Sequence, residues 1–137
     1  MRVLLADRLH PLATQALSDA GFEWEMNAAL ASDTLSEAIE RFNPHVLVVR
    51  STGVTAEHVR AGGALSLVVR AGAGVNTIDL GACSDAGIFV GNCPGRNAVA
   101  VAELTIGLLI AIDRQIADNV QELRAGRWDK QRFSKAD

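Results

Sequence analysis

Several things are scarce in this 137-residue sequence, and each scarcity closes a class of function. The only cysteines, Cys83 and Cys93, form no CxxC pair and are too few for a disulfide framework. They read as reduced thiols of a cytoplasmic protein. The formal net charge of −3 leaves no basic footprint for nucleic acid. No block of like charge offers a binding tail. Long hydrophobic runs are also missing. The opening Met1-Arg2-Val3-Leu4-Leu5-Ala6-Asp7 is broken too soon to be the core of a signal peptide. The most apolar stretch, residues 98–112, falls short of the roughly 20 residues a membrane span needs and carries Glu103 and Thr105. It predicts a buried or interface helix, with no membrane role. His10, His45 and His58 are scattered, so no metal site is expected. There is no internal repeat and no low-complexity segment.

What is present is enough for a core: 49% of residues are hydrophobic and 21% charged, a balance that argues against disorder. Short apolar runs at 3–6, 46–49, 65–69 and 88–90 read as strands, and the alternating Phe22, Trp24 and Met26 as a half-exposed one. Between them lie helical segments. The first, 11–20, is stopped by Gly21. Thr34-Leu35-Ser36-Glu37 has the form of a capping box, with Leu35, Ala38, Ile39 and Phe42 as the apolar stripe behind it. Shorter helices are expected at 55–61, closed by Gly62-Gly63, and at 79–86, stopped by Gly87. Asn97 then caps the long apolar helix, and a more polar helix at 116–125 follows. Strands alternating with helices, and apolar on both faces, predict an α/β layer with a parallel sheet. A boundary is expected near Asn97, with domains at 1–96 and 97–137.

In such sheets ligands sit beyond the carboxyl ends of the strands, and three loops fall there. Arg50-Ser51-Thr52 follows the third strand, and its guanidinium and hydroxyl suit a phosphate or carboxylate. Arg70-Ala71-Gly72-Ala73-Gly74-Val75-Asn76 follows the fourth, where backbone N–H groups of residues 72–75 could nest a small anion. Asn92-Cys93-Pro94-Gly95-Arg96-Asn97 follows the fifth. Gly72 and Gly74 begin a GxGxxG pattern, but Thr77 stands where its third glycine would be, so the dinucleotide fingerprint fails.

Taken together, these loops resemble the D-2-hydroxyacid dehydrogenase family. The carrying residues are Val49-Arg50-Ser51-Thr52 with Val54-Thr55, the run from Val69 to Asp79, Asn92-Cys93-Pro94-Gly95-Arg96-Asn97 with Val101-Ala102-Glu103-Leu104-Thr105, and Leu123-Arg124-Ala125-Gly126-Arg127-Trp128-Asp129. They run in order along essentially the whole chain. Departures from the family pattern are Asn76 where Asp is usual, Thr77 where Asn is common, and Cys93 where Thr is usual. The resemblance implies a flavodoxin-like substrate-binding domain over 1–96. A hinge helix and a dimer-forming arm over 97–137 would follow. It implies that Arg50 and Ser51 bind the acidic end of a D-2-hydroxy acid, 3-phosphoglycerate being the expected one. The Gly74–Val75 backbone would hold the substrate carboxylate, Asn97 would line the cleft between domains, and Ala73 would lie against the nicotinamide of NAD. The family's Rossmann glycines, substrate-orienting Arg and His/Glu acid–base pair fall beyond this segment. No catalytic residue is therefore assigned here, and the fragment alone is expected to be inactive.

Two rival readings belong to other classes. The opening Val3-Leu4-Leu5-Ala6-Asp7 is similar to that of signalling receiver domains, but the acceptor Asp and the Lys those require are replaced by Arg50 and Asn92. A stand-alone oligomerisation or ligand-binding module is the other, motivated by the apolar helix after Asn97.

Overall fold

Four-residue strands alternate with helices through the first part of the chain in the computed structural model, which describes residues 1–134. The order is β1 (Arg2–Leu5), α1 (Pro11–Asp19), β2 (Glu23–Met26), α2 (Ser32–Phe42), β3 (Val46–Val49), α3 (Ala56–Ala61), β4 (Leu67–Arg70), α4 (Leu80–Asp85) and β5 (Phe89–Asn92). All neighbouring strands pair in parallel, in the order β2-β1-β3-β4-β5. This is the flavodoxin-like winding of the doubly wound sheets.

Helix ends follow local chemistry. Pro11 opens α1 at a position where its missing N–H costs nothing, and His10 Nδ1 accepts from Leu12 N–H at 3.2 Å. Gly21 turns the chain at φ 71° behind α1. Asn43 leaves α2 in the left-handed region at φ 47°, just before Pro44. Asp79 caps α4 by accepting Ala82 N–H at 2.9 Å. At α2 the sequence reading is corrected. The helix begins at Ser32, so Thr34 is its third residue rather than its cap, and the Thr34 hydroxyl accepts Ala31 N–H at 3.0 Å. The fourth strand also starts later than its apolar run, because Leu65 N–H is drawn into a turn with Gly62 O at 3.3 Å.

Strand alternation divides the core. Leu4, Leu47, Val49 and Val68 face α2, α3 and α4, meeting Leu35, Ala38, Ile39, Val59 and Cys83. Val3, Leu5 and Val46 face the other way, against Leu17 of α1 with Phe22 and Trp24. Phe89 on the β5 edge is 77% exposed.

The chain divides into two compact units, Met1–Arg96 and Asn97–Asp137. The second holds α5 (Ala98–Asp113) and α6 (Ile116–Arg124), joined through Gln115 at φ 49°. Residues 135–137 of the predicted arm lie outside the described residues. Of the two expectations for α5, a buried or an interface helix, the first does not hold: Val99 is 73% exposed and Ile112 75%, and the large apolar residues between them are exposed too. Beyond α6, Glu122 draws the chain back through Arg127 Nε at 2.5 Å and Arg132 Nη1 at 3.2 Å. No helix among the described residues is long and apolar enough to cross a membrane.

Candidate functional site

The winding of the sheet reverses between β1 and β3, and there the chain supplies an anion of its own. Asp7, just past β1, accepts the backbone N–H of Arg50 at 2.6 Å, of Ser51 at 3.1 Å and of Thr52 at 3.1 Å; its other oxygen accepts the Ser51 hydroxyl at 3.3 Å. Partial burial pushes the Asp7 carboxyl up, but the bonds from Arg50, Thr52 and Ser51 together outweigh it and hold it below the ordinary carboxylate value. The N–H groups of 50–52 are therefore already satisfied, and what this loop offers an anion is side chains. Arg50 is exposed, and its guanidinium has no partner among the described residues. Ser51 is exposed as well.

Arg70 ends β4 and turns its side chain back along the sheet edge, where its Nε donates to Arg50 O at 3.0 Å. Its guanidinium lies over Gly72: a Cβ there would stand 2.7 Å from Arg70 Cζ. Neither Gly72 nor Gly74 has a left-handed φ, so missing bulk rather than backbone freedom is what position 72 uses. The predicted anion nest is narrower than the sequence implied. Gly72 N–H is taken by Arg70 O at 2.8 Å, whereas the N–H groups of Ala73, Gly74 and Val75 have no partner among the described residues. Asn92 Nδ2 donates to Ala73 O at 2.7 Å, and Cys93 N–H to Gly72 O at 2.9 Å. Side chains of Asp7, Arg70 and Asn92 thus stitch the ends of β1, β3, β4 and β5 into one rim.

Asn97 opens the second unit. Its C=O accepts Val101 N–H at 2.9 Å, but its side chain makes no capping bond, which corrects the expectation of a side-chain cap. The three histidines all spend Nδ1 on backbone N–H groups: His10 on Leu12, His45 on Arg2 at 3.0 Å and His58 on Thr55 at 3.0 Å. Burial and then the charge of Asp79 push the Cys83 thiol up, so it is a packing residue rather than a nucleophile. Among the described residues no three His, Cys, Asp or Glu side chains gather to hold a metal.

Sequence reasoning missed the parts played by Asp7, Arg70 and Asn92. A signal existed for Asp7, a carboxylate directly after an apolar strand. Its meaning depends on β1 lying beside β3, and that is a matter of topology.

Comparison with known proteins agrees with this picture. The model of the D-isomer specific 2-hydroxyacid dehydrogenase catalytic domain matches residues 3–133. D-3-phosphoglycerate dehydrogenase of Methanocaldococcus jannaschii is 39% identical over 134 residues, 97% of this chain and 25% of the relative. Hydroxypyruvate reductase of Thermotoga maritima is 40% identical over 130 residues, 94% of this chain and 42% of the relative. The crystal structure of NAD+-bound 3-phosphoglycerate dehydrogenase from Entamoeba histolytica superposes with a TM-score of 0.73 at 32% identity, covering 83% of this chain and 39% of that one. The chain thus spans between 25% and 42% of the length of these relatives.

Proposed function

The chain belongs to the D-isomer specific 2-hydroxyacid dehydrogenase family, and on that premise we propose that Met1–Arg96 is the substrate-binding part of an NAD-dependent dehydrogenase acting on 3-phosphoglycerate. The observation that carries this reading is the rim. The Arg50 guanidinium, without a partner among the described residues, stands on a loop joined through Arg70 to a second loop where the N–H groups of Ala73, Gly74 and Val75 are likewise open among the described residues. A doubly acidic ligand needs both: a cationic fork for its phosphate and a backbone cradle for its carboxylate. Arg50 takes the first role, joined by Ser51 when its hydroxyl exchanges the 3.3 Å bond to Asp7 for the phosphate, and the Gly74–Val75 backbone takes the second. Asn97 is assigned to the cleft edge, and Asn97–Asp137 to a hinge and dimer-forming arm. The setting is cytoplasmic, in keeping with two free cysteines.

The residues present fit a nicotinamide cofactor in one limited way. Ala73 is exposed, carries only a methyl group, and has its carbonyl pinned by Asn92, so a flat ring would rest there without displacing a side chain. When bound, NAD supplies hydride acceptance. What this chain contributes is to hold the acid's two ends and so fix which carbon faces the ring.

The test is titration of the 137-residue chain, ¹⁵N-labelled, with 3-phosphoglycerate. Shifts are expected at the amides of Gly74 and Val75, and weaker binding in Arg50→Met. No shift at these amides overturns the reading. The hydroxypyruvate reductase relative motivates a parallel titration with hydroxypyruvate, and tighter binding of that acid would move the assignment to an unphosphorylated substrate. The isolated chain is expected to form no NADH from 3-phosphoglycerate and NAD.

A further inference from the structure

Arg50 is the first residue beyond β3, so no sheet ladder fixes its backbone. Two side chains from the flanking strands do so instead. Its N–H donates to Asp7 from the β1 end at 2.6 Å, and its C=O accepts Arg70 Nε from the β4 end at 3.0 Å. Both are charge-assisted bonds, the stronger kind. Gly72 independently marks the arrangement, since the Arg70 guanidinium fills the space where a Cβ would sit.

We propose that Asp7 and Arg70 are positioning residues for anion recognition: together they clamp the Arg50 residue so that its guanidinium is presented to the acidic ligand in one orientation, and neither needs to touch that ligand. This rests on the reading that Arg50 grips the acid. It departs from simple electrostatics in sign. Through space, the Asp7 carboxylate repels an anion held near Arg50 and the Arg70 guanidinium attracts it. Coulomb's law therefore expects neutralising Asp7 to tighten binding, and expects Arg70→Lys, which keeps the charge, to leave it unchanged. A clamp requires both substitutions to weaken it. A lysine ammonium cannot reproduce the planar group whose Nε reaches Arg50 O while its far end lies over Gly72.

The experiment is titration of the chain with 3-phosphoglycerate and separately with inorganic phosphate, in wild type, Arg50→Met, Asp7→Ala, Arg70→Lys and Gly72→Ala. The amide resonance and exchange rate of Arg50 are recorded without ligand. Asp7→Ala, Arg70→Lys and Gly72→Ala are each expected to raise Kd by about two- to tenfold, the equivalent of one net hydrogen bond. The Arg50 amide should exchange faster in Asp7→Ala. If Asp7→Ala fails to fold, the Arg70 and Gly72 variants decide. Binding lost in Arg50→Met but unchanged or tighter in the others overturns the clamp alone. Binding indifferent to Arg50→Met overturns the functional reading, and the clamp's purpose with it.

Discussion

The Arg70 side chain occupies the space into which any side chain at Gly72 would grow: a Cβ there would stand 3.1 Å from Arg70 Nε and nearer still to its Cζ. The guanidinium is the far end of a flexible side chain, so Gly72→Ala is expected to displace it rather than to disrupt the sheet. Chemical denaturation should show a change within about 0.5 kcal/mol, as for other surface substitutions. The Arg70–Arg50 bond should be lost, which the chemical shift of the Arg70 Nε–H would report.

Asp7 makes stability depend on pH in a defined direction. Its folded pKa lies below that of an ordinary unfolded aspartate, so its contribution is complete above the unfolded pKa and is lost as pH falls through the folded one. Asp7→Asn is expected to cost about 1 kcal/mol at pH 7, allowing for partial exposure of the side chain. The difference from wild type should shrink below pH 4 as Asp7 itself is protonated. Urea unfolding of both proteins across that range measures it; a gap that stays constant would show that the carboxylate charge contributes nothing.

Buried hydroxyls without partners are the reverse case. Ser36 Oγ and Thr77 Oγ1 are both buried with no hydrogen-bond partner among the described residues. Replacing such a group with an apolar one of like shape removes a desolvation cost. Ser36→Ala and Thr77→Val are each expected to raise the midpoint of thermal unfolding, by the equivalent of up to about 1 kcal/mol. A lowered midpoint would contradict this.

The α5 helix is apolar on most of its circumference, with Glu103 and Thr105 the exceptions before its last residue, and its residues Leu104 and Leu108, one turn apart on the same face, are 63% and 53% exposed. A helix of this kind is stable when covered. At micromolar concentration the 14.5 kDa chain is expected to run as a dimer or larger species in size exclusion with light scattering. Leu104→Glu with Leu108→Glu should shift it toward monomer. A monomeric wild type would argue against association through this face.

Most of the sheet was legible because its information is local. Val46 to Val49 is apolar on both faces, as a central parallel strand requires, and Gly21, Asn43-Pro44 and Gly87 end helices by backbone chemistry that any short window contains. Arg50 was legible as a candidate ligand residue because it directly follows such a strand. The clamp was not. Asp7 and Arg50 are 43 residues apart and meet only because β1 lies beside β3. The Gly72 N–H counted as open until the turn onto Arg70 O closed it. Thr34 fits the capping consensus, but Ala31 lies in extended backbone at the true start of α2, so the threonine serves from inside the helix.

The strand order carries a kinetic consequence for the rim. β3 is flanked by β1 and β4, and those in turn by β2 and β5, so the outer strands shield its amides from exchange with solvent. Arg50 extends directly from that innermost strand. Fraying at either edge of the sheet is therefore expected to leave Arg50 in place, tethered to the strand whose amides should exchange most slowly.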